Sequence, residues 1–418
     1  MAEADFDLRK LLAPVEQEIF LRDYWEKQPL HLSRKKPGHY SALFSSADVD
    51  TVIAFTRPKF ADASAFKPEV PRQSSFVQGW LADRHLPDNN QYPGIAELHA
   101  VYARGKTVVI MTMQQRWLPI ALLCRKLESF FYCPVHANLY LTPAGAQGFD
   151  AHFDTHEVLV LQLEGHKHWR LYGPTRTLPM AGERFSVPRE QLGPVREIHL
   201  EPGDLLYIPR GHVHEAFTSE AASMHLTVGI NVFRWADLLH EAIDSVTRRD
   251  ERFRESVPSG LLGGGPAPAD VAERFRELLD VLGGAARVDD AMRQLGDAFF
   301  GQMPVLPDSH FAAAPREEAI DLDTVLEKSP GAVCRVVQDG SWVTIEFPGG
   351  RVGGPLKIAS ALHFVAGADR FAVRELPDDL GGEAKLVLVR RLLRERLLLI
   401  RGKETKRAGQ GENGPFYA

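Results

Sequence analysis

Two short stretches of the chain, sixty positions apart, carry residue types that together suit a transition metal. His152 and Asp154 lie two residues apart, so on an extended strand their side chains point to the same face. The second stretch, Pro209-Arg-Gly-His-Val-His214, supplies further imidazoles. Two histidines and one carboxylate can hold Fe(II) on three corners of an octahedron and leave three corners open for reactants. The spacing therefore predicts a redox metal site.

Strand parity alone leaves the choice of ligands open. His156 has the same parity as Asp154, and His212 has the same parity as His214. The segment from Gly203 to His214 fits G-x5-P-x-G-x2-H, the pattern that closes the metal site in cupin-type barrels, and it favours His214. The HxD spacing in turn favours His152.

The remaining histidines of this region are given more ordinary roles. Nine of the sixteen histidines fall between positions 136 and 225, which marks this part of the chain. His225 lies on a predicted inward strand, either supporting the ligands or filling the core. Four others are predicted to be ordinary polar residues: His136, His166, His168 and His199.

Lys167 is the candidate cation that would bind an anionic co-substrate held by the metal. It follows the turn Glu164-Gly165 and shares strand parity with Trp169, so it is predicted to face inward. An inward lysine is costly unless an anion compensates it. A 2-oxoacid chelating the iron would supply that anion through its far carboxylate. The alternative is an ammonium group that reaches solvent at the rim. On a neighbouring strand, Asn138 and Tyr140 share parity and are predicted to donate hydrogen bonds to the same ligand.

The elements that must position these residues are short strands separated by Gly and Pro turns between residues 137 and 233, which predicts an antiparallel barrel or sandwich. Helices are predicted before it at 16–25 and 120–131, with a strand at 107–112 and proline-rich loops between. After it, helices are predicted at 235–249, 269–282, 289–300, 356–365 and 386–394. Strands are predicted at 343–347 and 397–400.

Four segments together resemble the JmjC ribosomal oxygenases, the cupin-like branch of oxygenases that hydroxylates ribosomal proteins. They are Asn138-Leu-Tyr-Leu-Thr-Pro143, Gln147-Gly-Phe-Asp-Ala-His-Phe-Asp154, Val160-Leu-Gln-Leu-Glu-Gly-His-Lys-His-Trp-Arg170 and Glu201-Pro-Gly-Asp-Leu-Leu-Tyr-Ile-Pro-Arg-Gly-His-Val-His214. The match is dense from about 134 to 233. Beyond that region the resemblance rests on the order of the segments, a barrel followed by a helical segment and a C-terminal winged helix. The resemblance implies an α+β fold, a double-stranded β-helix with N-terminal helices over 1–235. It also implies a helical dimerisation domain over 236–315, a winged-helix-like domain over 316–402 and a disordered tail over 403–418.

The resemblance also implies the chemistry and the residues that perform it. His152, Asp154 and His214 would ligate Fe(II), and Lys167 would pair with the distal carboxylate of 2-oxoglutarate, with Asn138 and Tyr140 lining the same pocket. The target would be an arginine or histidine of a ribosomal protein, and the enzyme a homodimer. The chain departs from some relatives in two places. Bacterial members often carry arginine at the position of Lys167, and some relatives carry serine near Gly229.

Composition narrows the class of protein. With 44% hydrophobic and 25% charged residues the chain resembles ordinary soluble proteins, and a net charge of −6 argues against a dedicated nucleic-acid binder. Three widely spaced cysteines favour a reducing compartment. We expect no signal peptide and no membrane span, hence a cytoplasmic protein.

Two other functions remain as alternatives. N-methyl-lysine demethylation would use the same iron chemistry. A ligand-sensing cupin coupled to a DNA-binding winged helix is suggested by a C-terminal basic cluster, although Glu383 and Glu395 interleave with it and nucleic-acid binding is not expected. The cluster consists of Lys385, Arg390, Arg391, Arg394 and Arg396.

Overall fold

The structure, a computed structural model, describes residues 6–56, 60–62, 95–183, 185–263, 266–307 and 320–403. The chain divides into two units, residues 1–299 and 300–418. Most of the predicted proline-rich loops between residues 58 and 93, and the predicted tail beyond residue 403, lie outside the described residues. None of the helices in the described ranges combines the length and apolar character needed to span a bilayer.

The first unit is built on two antiparallel sheets. Its strands are β1 (Leu30–Leu32), β2 (Phe60–Asp62), β3 (Val108–Ile110), β4 (Val135–Thr142), β5 (Glu157–Gly165), β6 (Lys167–Pro174), β7 (Arg196–Leu200), β8 (Leu205–Ile208), β9 (His212–Phe217) and β10 (Ser223–Ile230). The larger sheet has the strand order β1-β8-β5-β10-β4-β3-β2, and the smaller one has the order β7-β6-β9. The predicted antiparallel double-sheet architecture is confirmed.

The alternation of side chains along β5 shows how the layers stack. Leu159 and Leu161 belong to a large core under the N-terminal helices, whereas Val158 and Val160 pack in a second core with residues of the smaller sheet such as Trp169. A strand buried on both faces needs a continuous apolar run, which β5 has. The larger sheet therefore lies between a helical layer and the smaller sheet.

Helices precede and follow the sheets. They are α1 (Leu8–Leu12), α2 (Gln17–Asp23), α3 (Ser46–Thr56), α4 (Ile95–Ala103), α5 (Leu118–Phe131), α6 (Trp235–Arg249), α7 (Ala269–Ala285) and α8 (Val288–Gln302). The predicted helices at 16–25, 120–131, 235–249, 269–282 and 289–300 are confirmed, with small differences at their ends.

One predicted strand is wrong in its extent, and the difference matters for the site. The extended strand that was expected to carry His152 and Asp154 begins only at Glu157. Residues 152–156 form a loop that touches β9 through one isolated bridge: His152 N–H donates to His214 O at 3.1 Å and His214 N–H donates to His152 O at 2.8 Å. Gly211 N–H also donates to Asp154 O at 2.9 Å. Pairing with β9, not strand periodicity, therefore sets the direction of these side chains.

The second unit is a small α+β unit with its own core. Its strands are β11 (Thr324–Lys328), β12 (Arg335–Asp339), β13 (Trp342–Phe347), β14 (Gly350–Pro355), β15 (Arg370–Ala372) and β16 (Leu398–Lys403), and its helices are α9 (Ala359–Gly367) and α10 (Gly382–Arg394). They form sheets of order β15-β11-β16 and β12-β13-β14. The predicted strands at 343–347 and 397–400 and helices at 356–365 and 386–394 are confirmed. The further division into dimerisation and winged-helix domains stays a prediction.

The basic cluster of α10 is partly engaged within the unit. Lys385 is buried, and its ammonium donates to Asp378 Oδ1 at 3.0 Å and to the Arg374 carbonyl at 3.1 Å. Arg391 forms an ion pair with Glu395 at 2.7 Å. A nucleic-acid site would need these cations free for phosphates, so the pairing weakens the DNA-binding alternative.

Candidate functional site

His152, Asp154 and His214 come together at one point on the smaller sheet. Each offers one ligand atom, and these atoms lie within 4.8 Å of one another. His214 Nε2 is 3.5 Å from Asp154 Oδ2, and the two imidazole rings have their centroids 4.5 Å apart. Adjacent ligands of an octahedral ion with bonds near 2.1 Å are roughly 3 Å apart. Small side-chain rotations would therefore bring all three groups onto one ion.

The backbone holds both imidazoles in the tautomer that a metal needs. His152 Nδ1 lies 2.7 Å from the Asp150 carbonyl, and His214 Nδ1 lies 2.9 Å from the His212 carbonyl. A carbonyl oxygen only accepts, so each Nδ1 must carry the proton. Each Nε2 then presents its lone pair. Hydrogen bonds of this kind orient the histidine ligands of metal sites.

The charges of the group also suit a divalent cation. Burial alone would raise the pKa of Asp154, but the surrounding imidazoles, led by His156, lower it to about 2. Burial, followed by the neighbouring His152, lowers the pKa of His214 to about 4. At neutral pH the carboxylate is therefore ionised and the His214 imidazole is neutral. That donor set fits the iron site predicted from the sequence.

The two competing histidines have other positions. The His212 side chain is buried outside the metal-ligand cluster, and its Nδ1 has no hydrogen-bond partner within the described ranges; its backbone carbonyl, however, orients His214. The His156 ring packs edge-on against His136, with centroids 4.9 Å apart. The structure therefore groups His152 and His214 with Asp154 and leaves out the alternatives that parity could not separate.

A cavity of about 980 Å³ opens beside the three residues, and Lys167 lies in its wall. Lys167 is only 2% exposed, so its ammonium does not reach solvent. It donates to Thr142 Oγ1 at 2.5 Å, the one hydrogen bond of its ammonium in the described part of the chain. Burial lowers the pKa of Lys167 to about 7. A buried ammonium with one neutral partner is a site prepared for an anion.

Asn138 and Tyr140 border the same cavity, as their shared parity predicts. Asn138 Oδ1 accepts from the Thr112 backbone N–H at 3.0 Å, which leaves its Nδ2 available to donate. Burial raises the pKa of Tyr140, so its hydroxyl stays a neutral donor. The Tyr140 ring stacks on His225, with centroids 4.7 Å apart. His225 Nδ1 is buried and has no hydrogen-bond partner among the described residues, so it too can meet a polar ligand.

His136 also lines the cavity, so the prediction of an ordinary polar residue at this position is wrong. It follows the same alternation as Asn138 and Tyr140 on β4, so parity was the signal that could have identified it. Asn231 Nδ2 lies 3.0 Å from His136 Nδ1, and an amide nitrogen donates, so the ring proton sits on Nε2. Burial, then the nearby His156, lowers the pKa of His136 to about 3. A neutral imidazole donor thus occupies this part of the wall.

Gly229 explains how that ring fits. It pairs with His136 across β10 and β4, and a Cβ atom at Gly229 would lie 2.2 Å from His136 Cε1 and 2.7 Å from His156 Cδ2. The rings of His136 and His156 therefore occupy the space that a serine side chain at this position would need.

We expect Gly229→Ala to destabilise the protein by about 1–3 kcal/mol, because overpacking forces buried rings away from their positions. Urea unfolding measures the change. Gly148→Ala is the matched control, since its Cβ would meet Thr107 Oγ1 at an ordinary 3.6 Å. Combining Gly229→Ala with His136→Ala should cost less than the sum of the single changes. Full additivity would show that the two residues do not compete for the same space.

The chain is similar in sequence to proteins of known families. A family model described as the JmjC domain matches residues 110–238. The chain is 34% identical over 322 residues to "Ribosomal oxygenase 1" of Gallus gallus, covering 72% of this chain and 52% of that protein. It is 32% identical over 311 residues to "Bifunctional lysine-specific demethylase and histidyl-hydroxylase NO66" of Aedes aegypti, covering 69% and 47%. The chain thus spans about half the length of these relatives.

Among solved structures, the chain is similar to YcfD, described as a ribosomal oxygenase from Escherichia coli in complex with cobalt and 2-oxoglutarate. The match has a TM-score of 0.52 at 18% identity and covers 93% of this chain and 99% of that one. A likeness at this level of identity concerns the fold.

Proposed function

This chain is a JmjC-domain protein related to the ribosomal oxygenases, and from that premise we propose that it is an Fe(II)- and 2-oxoglutarate-dependent oxygenase that hydroxylates a protein side chain. Its fold is the α+β JmjC type of cupin, with additional helical and small β regions. The observation that carries the proposal is the cluster of two imidazoles and one carboxylate beside a cavity whose wall holds the buried ammonium of Lys167.

Each residue has a defined task in this proposal. His152, Asp154 and His214 would hold the iron, which when bound supplies the oxidising chemistry with dioxygen. Lys167 and Thr142 would bind the distal carboxylate of 2-oxoglutarate. Overall, one carbon–hydrogen bond of the substrate becomes a carbon–hydroxyl bond while 2-oxoglutarate and dioxygen become succinate and carbon dioxide.

The cavity wall would orient the co-substrate and keep water out. Asn138 Nδ2 and the Tyr140 hydroxyl are free to donate hydrogen bonds to the oxygen atoms of 2-oxoglutarate. Trp169 and Val158 supply apolar surface on the same wall. A cavity of this size can take the co-substrate together with the end of a substrate side chain.

The substrate proposed is an arginine or histidine of a ribosomal protein. Support comes from the relatives, whose names describe ribosomal oxygenases and a histidyl-hydroxylase. The second candidate is lysine demethylation, because the Aedes aegypti relative also bears the name of a lysine-specific demethylase. Its product would be formaldehyde, whereas hydroxylation leaves the new oxygen on the substrate.

The test incubates the purified protein with Fe(II), 2-oxoglutarate and ribosomal proteins from cells in which its gene is deleted. We expect succinate to form and one ribosomal protein to gain one oxygen atom, located by tandem mass spectrometry on arginine or histidine. The same modification should be present in the parent cells. Formaldehyde release with loss of a methyl group would instead support demethylation. If neither the oxygen gain nor formaldehyde is detected, the proposal is contradicted.

The proposal includes the finer architecture expected from the resemblance. The helices between residues 236 and 303 would pair two chains into a homodimer, which is supported by exposed apolar side chains such as Leu239, Phe275 and Met292. Residues 316–402 would form a winged-helix-like domain. A cytoplasmic location is consistent with free thiols at all three cysteines. Light scattering that reports the mass of one chain would contradict the dimer.

A further inference from the structure

A second group of histidines lies on the outer face of the smaller sheet, where the proposed reaction does not use it. Lys167 pairs with Leu200 and His168 pairs with His199 across β6 and β7. Lys167 and Leu200 face inward and are buried, so residues of the opposite parity face outward. The same register, continued by one residue, sets His166 beside Glu201.

Three of these outward residues have the geometry of a ligand set. His166, His199 and Glu201 each offer one ligand atom, and the three atoms lie within 4.8 Å of one another. The rings of His166 and His199 are nearly parallel, with centroids 5.4 Å apart and planes 16° apart. In an antiparallel sheet, side chains opposite and diagonal to each other on one face are the ones that meet. The register itself therefore assembles this group.

A chain of hydrogen bonds through His168 to Ser219 can leave Nε2 of His199 unprotonated and available to a metal. His199 Nδ1 lies 3.3 Å from His168 Nδ1, and His168 Nε2 lies 3.2 Å from Ser219 Oγ. If the serine oxygen accepts, His168 carries its proton on Nε2 and accepts from His199 Nδ1–H. His199 then presents the lone pair of Nε2. This is the arrangement by which neighbouring groups orient a histidine ligand.

The third donor of the group, the Glu201 carboxylate, is open to a metal ion. Lys35 forms an ion pair with it, with the ammonium 4.0 Å from Glu201 Oε2 and largely exposed. Such a weak, solvent-screened contact can be displaced by a metal ion.

We propose that His166, His199 and Glu201 form a surface site for a divalent transition-metal ion of the class that prefers imidazole, such as Zn²⁺ or Ni²⁺. Water would complete the coordination. Mg²⁺ and Ca²⁺ are not expected to bind at this site, because they prefer oxygen donors and two of its three donors are imidazole nitrogens. The site is separate from His152, Asp154 and His214 and does not depend on the proposed oxygenase activity.

The experiment counts metal ions in the wild-type chain and three variants of it after removal of bound metal. Zn²⁺ alone is titrated into each by calorimetry with a chromophoric chelator as a check. We expect two equivalents for the wild type, one for His199→Ala, one for Asp154→Ala and none of comparable affinity for the double variant. Loss of one ligand should weaken the surface site by about tenfold or more, since even supporting residues of metal sites are worth 10- to 100-fold.

A control variant and a measurement of the melting temperature complete the experiment. His240→Ala removes an exposed histidine on α6 and should leave both sites intact. In Asp154→Ala, Zn²⁺ should raise the melting temperature through binding to the folded state, and the added change His199→Ala should abolish that rise. Mg²⁺ should produce no rise. If Asp154→Ala and Asp154→Ala/His199→Ala bind Zn²⁺ equally, the surface site is disproved, whatever the outcome at the Asp154 site.

Discussion

Asp154→Ala is expected to lower 2-oxoglutarate turnover about a thousandfold or more, because a metal that supplies several kcal/mol of transition-state stabilisation is lost with its only carboxylate ligand. In the folded protein Asp154 carries a negative charge beside the neutral imidazole of His214. The measurement is succinate formed per minute with saturating Fe(II) and 2-oxoglutarate, together with the iron content of each preparation.

His212→Ala is the matched control for this prediction. It removes a buried imidazole two residues from His214 but keeps the backbone carbonyl to which His214 Nδ1 donates. Turnover should therefore stay within severalfold of the wild type. If Asp154→Ala keeps full turnover, the metal assignment is wrong. If His212→Ala loses as much activity and iron as Asp154→Ala, His212 has to be considered as the third ligand in place of His214.

Lys167→Met is expected to raise the KM for 2-oxoglutarate roughly 30-fold or more, since removing one partner of a buried charge pair costs about 2–5 kcal/mol. The same change should raise the melting temperature of the co-substrate-free protein by a few degrees. The ammonium of Lys167 is buried with Thr142 as its hydrogen-bond partner, and methionine removes that uncompensated charge at similar volume. Activity and stability would thus move in opposite directions, which a merely unfolded variant cannot do.

The pKa of Lys167 gives this prediction a pH dependence of known sign. Burial lowers the pKa to about 7 in the folded protein from an ordinary 10.5. Between these two values the unfolded chain binds more protons at this position, so its contribution to the free energy of unfolding rises with pH. Lys167→Met should lack that contribution. A bound carboxylate restores the charged form, so binding of 2-oxoglutarate above pH 7 should take up a proton and weaken as the pH increases.

Calorimetry of 2-oxoglutarate binding at pH 8 in two buffers of different ionisation enthalpy measures the proton uptake directly. Lys167→Arg is the companion variant, because arginine remains charged at every pH used. It should retain binding better than Lys167→Met and show no proton uptake. Equal proton uptake by the wild type and Lys167→Arg would assign the proton to another group.

Local patterns in the sequence determined a large part of the site. Side chains alternate along a strand with period two, so the inward direction of Lys167 and the shared face of Asn138 and Tyr140 follow from the sequence alone. The turn pattern from Gly203 onward likewise pointed to His214. These predictions depend on neighbours within a few residues, which is the range over which backbone geometry propagates.

Other features depended on contacts between distant parts of the chain. His152 and Asp154 do not lie on the predicted strand; one bridge to β9 directs them. His136 enters the cavity wall because Gly229, on a partner strand, leaves room for its ring.

The grouping of His166 with His199 and Glu201 likewise depends on the register of β6 and β7. That register is set by long-range packing of buried faces, which no local pattern encodes. The sequence therefore determined which residue types face inward along each strand and which turn presents the third histidine. Only the tertiary structure decided which of these residues meet, because pairing between strands is decided by the core they share.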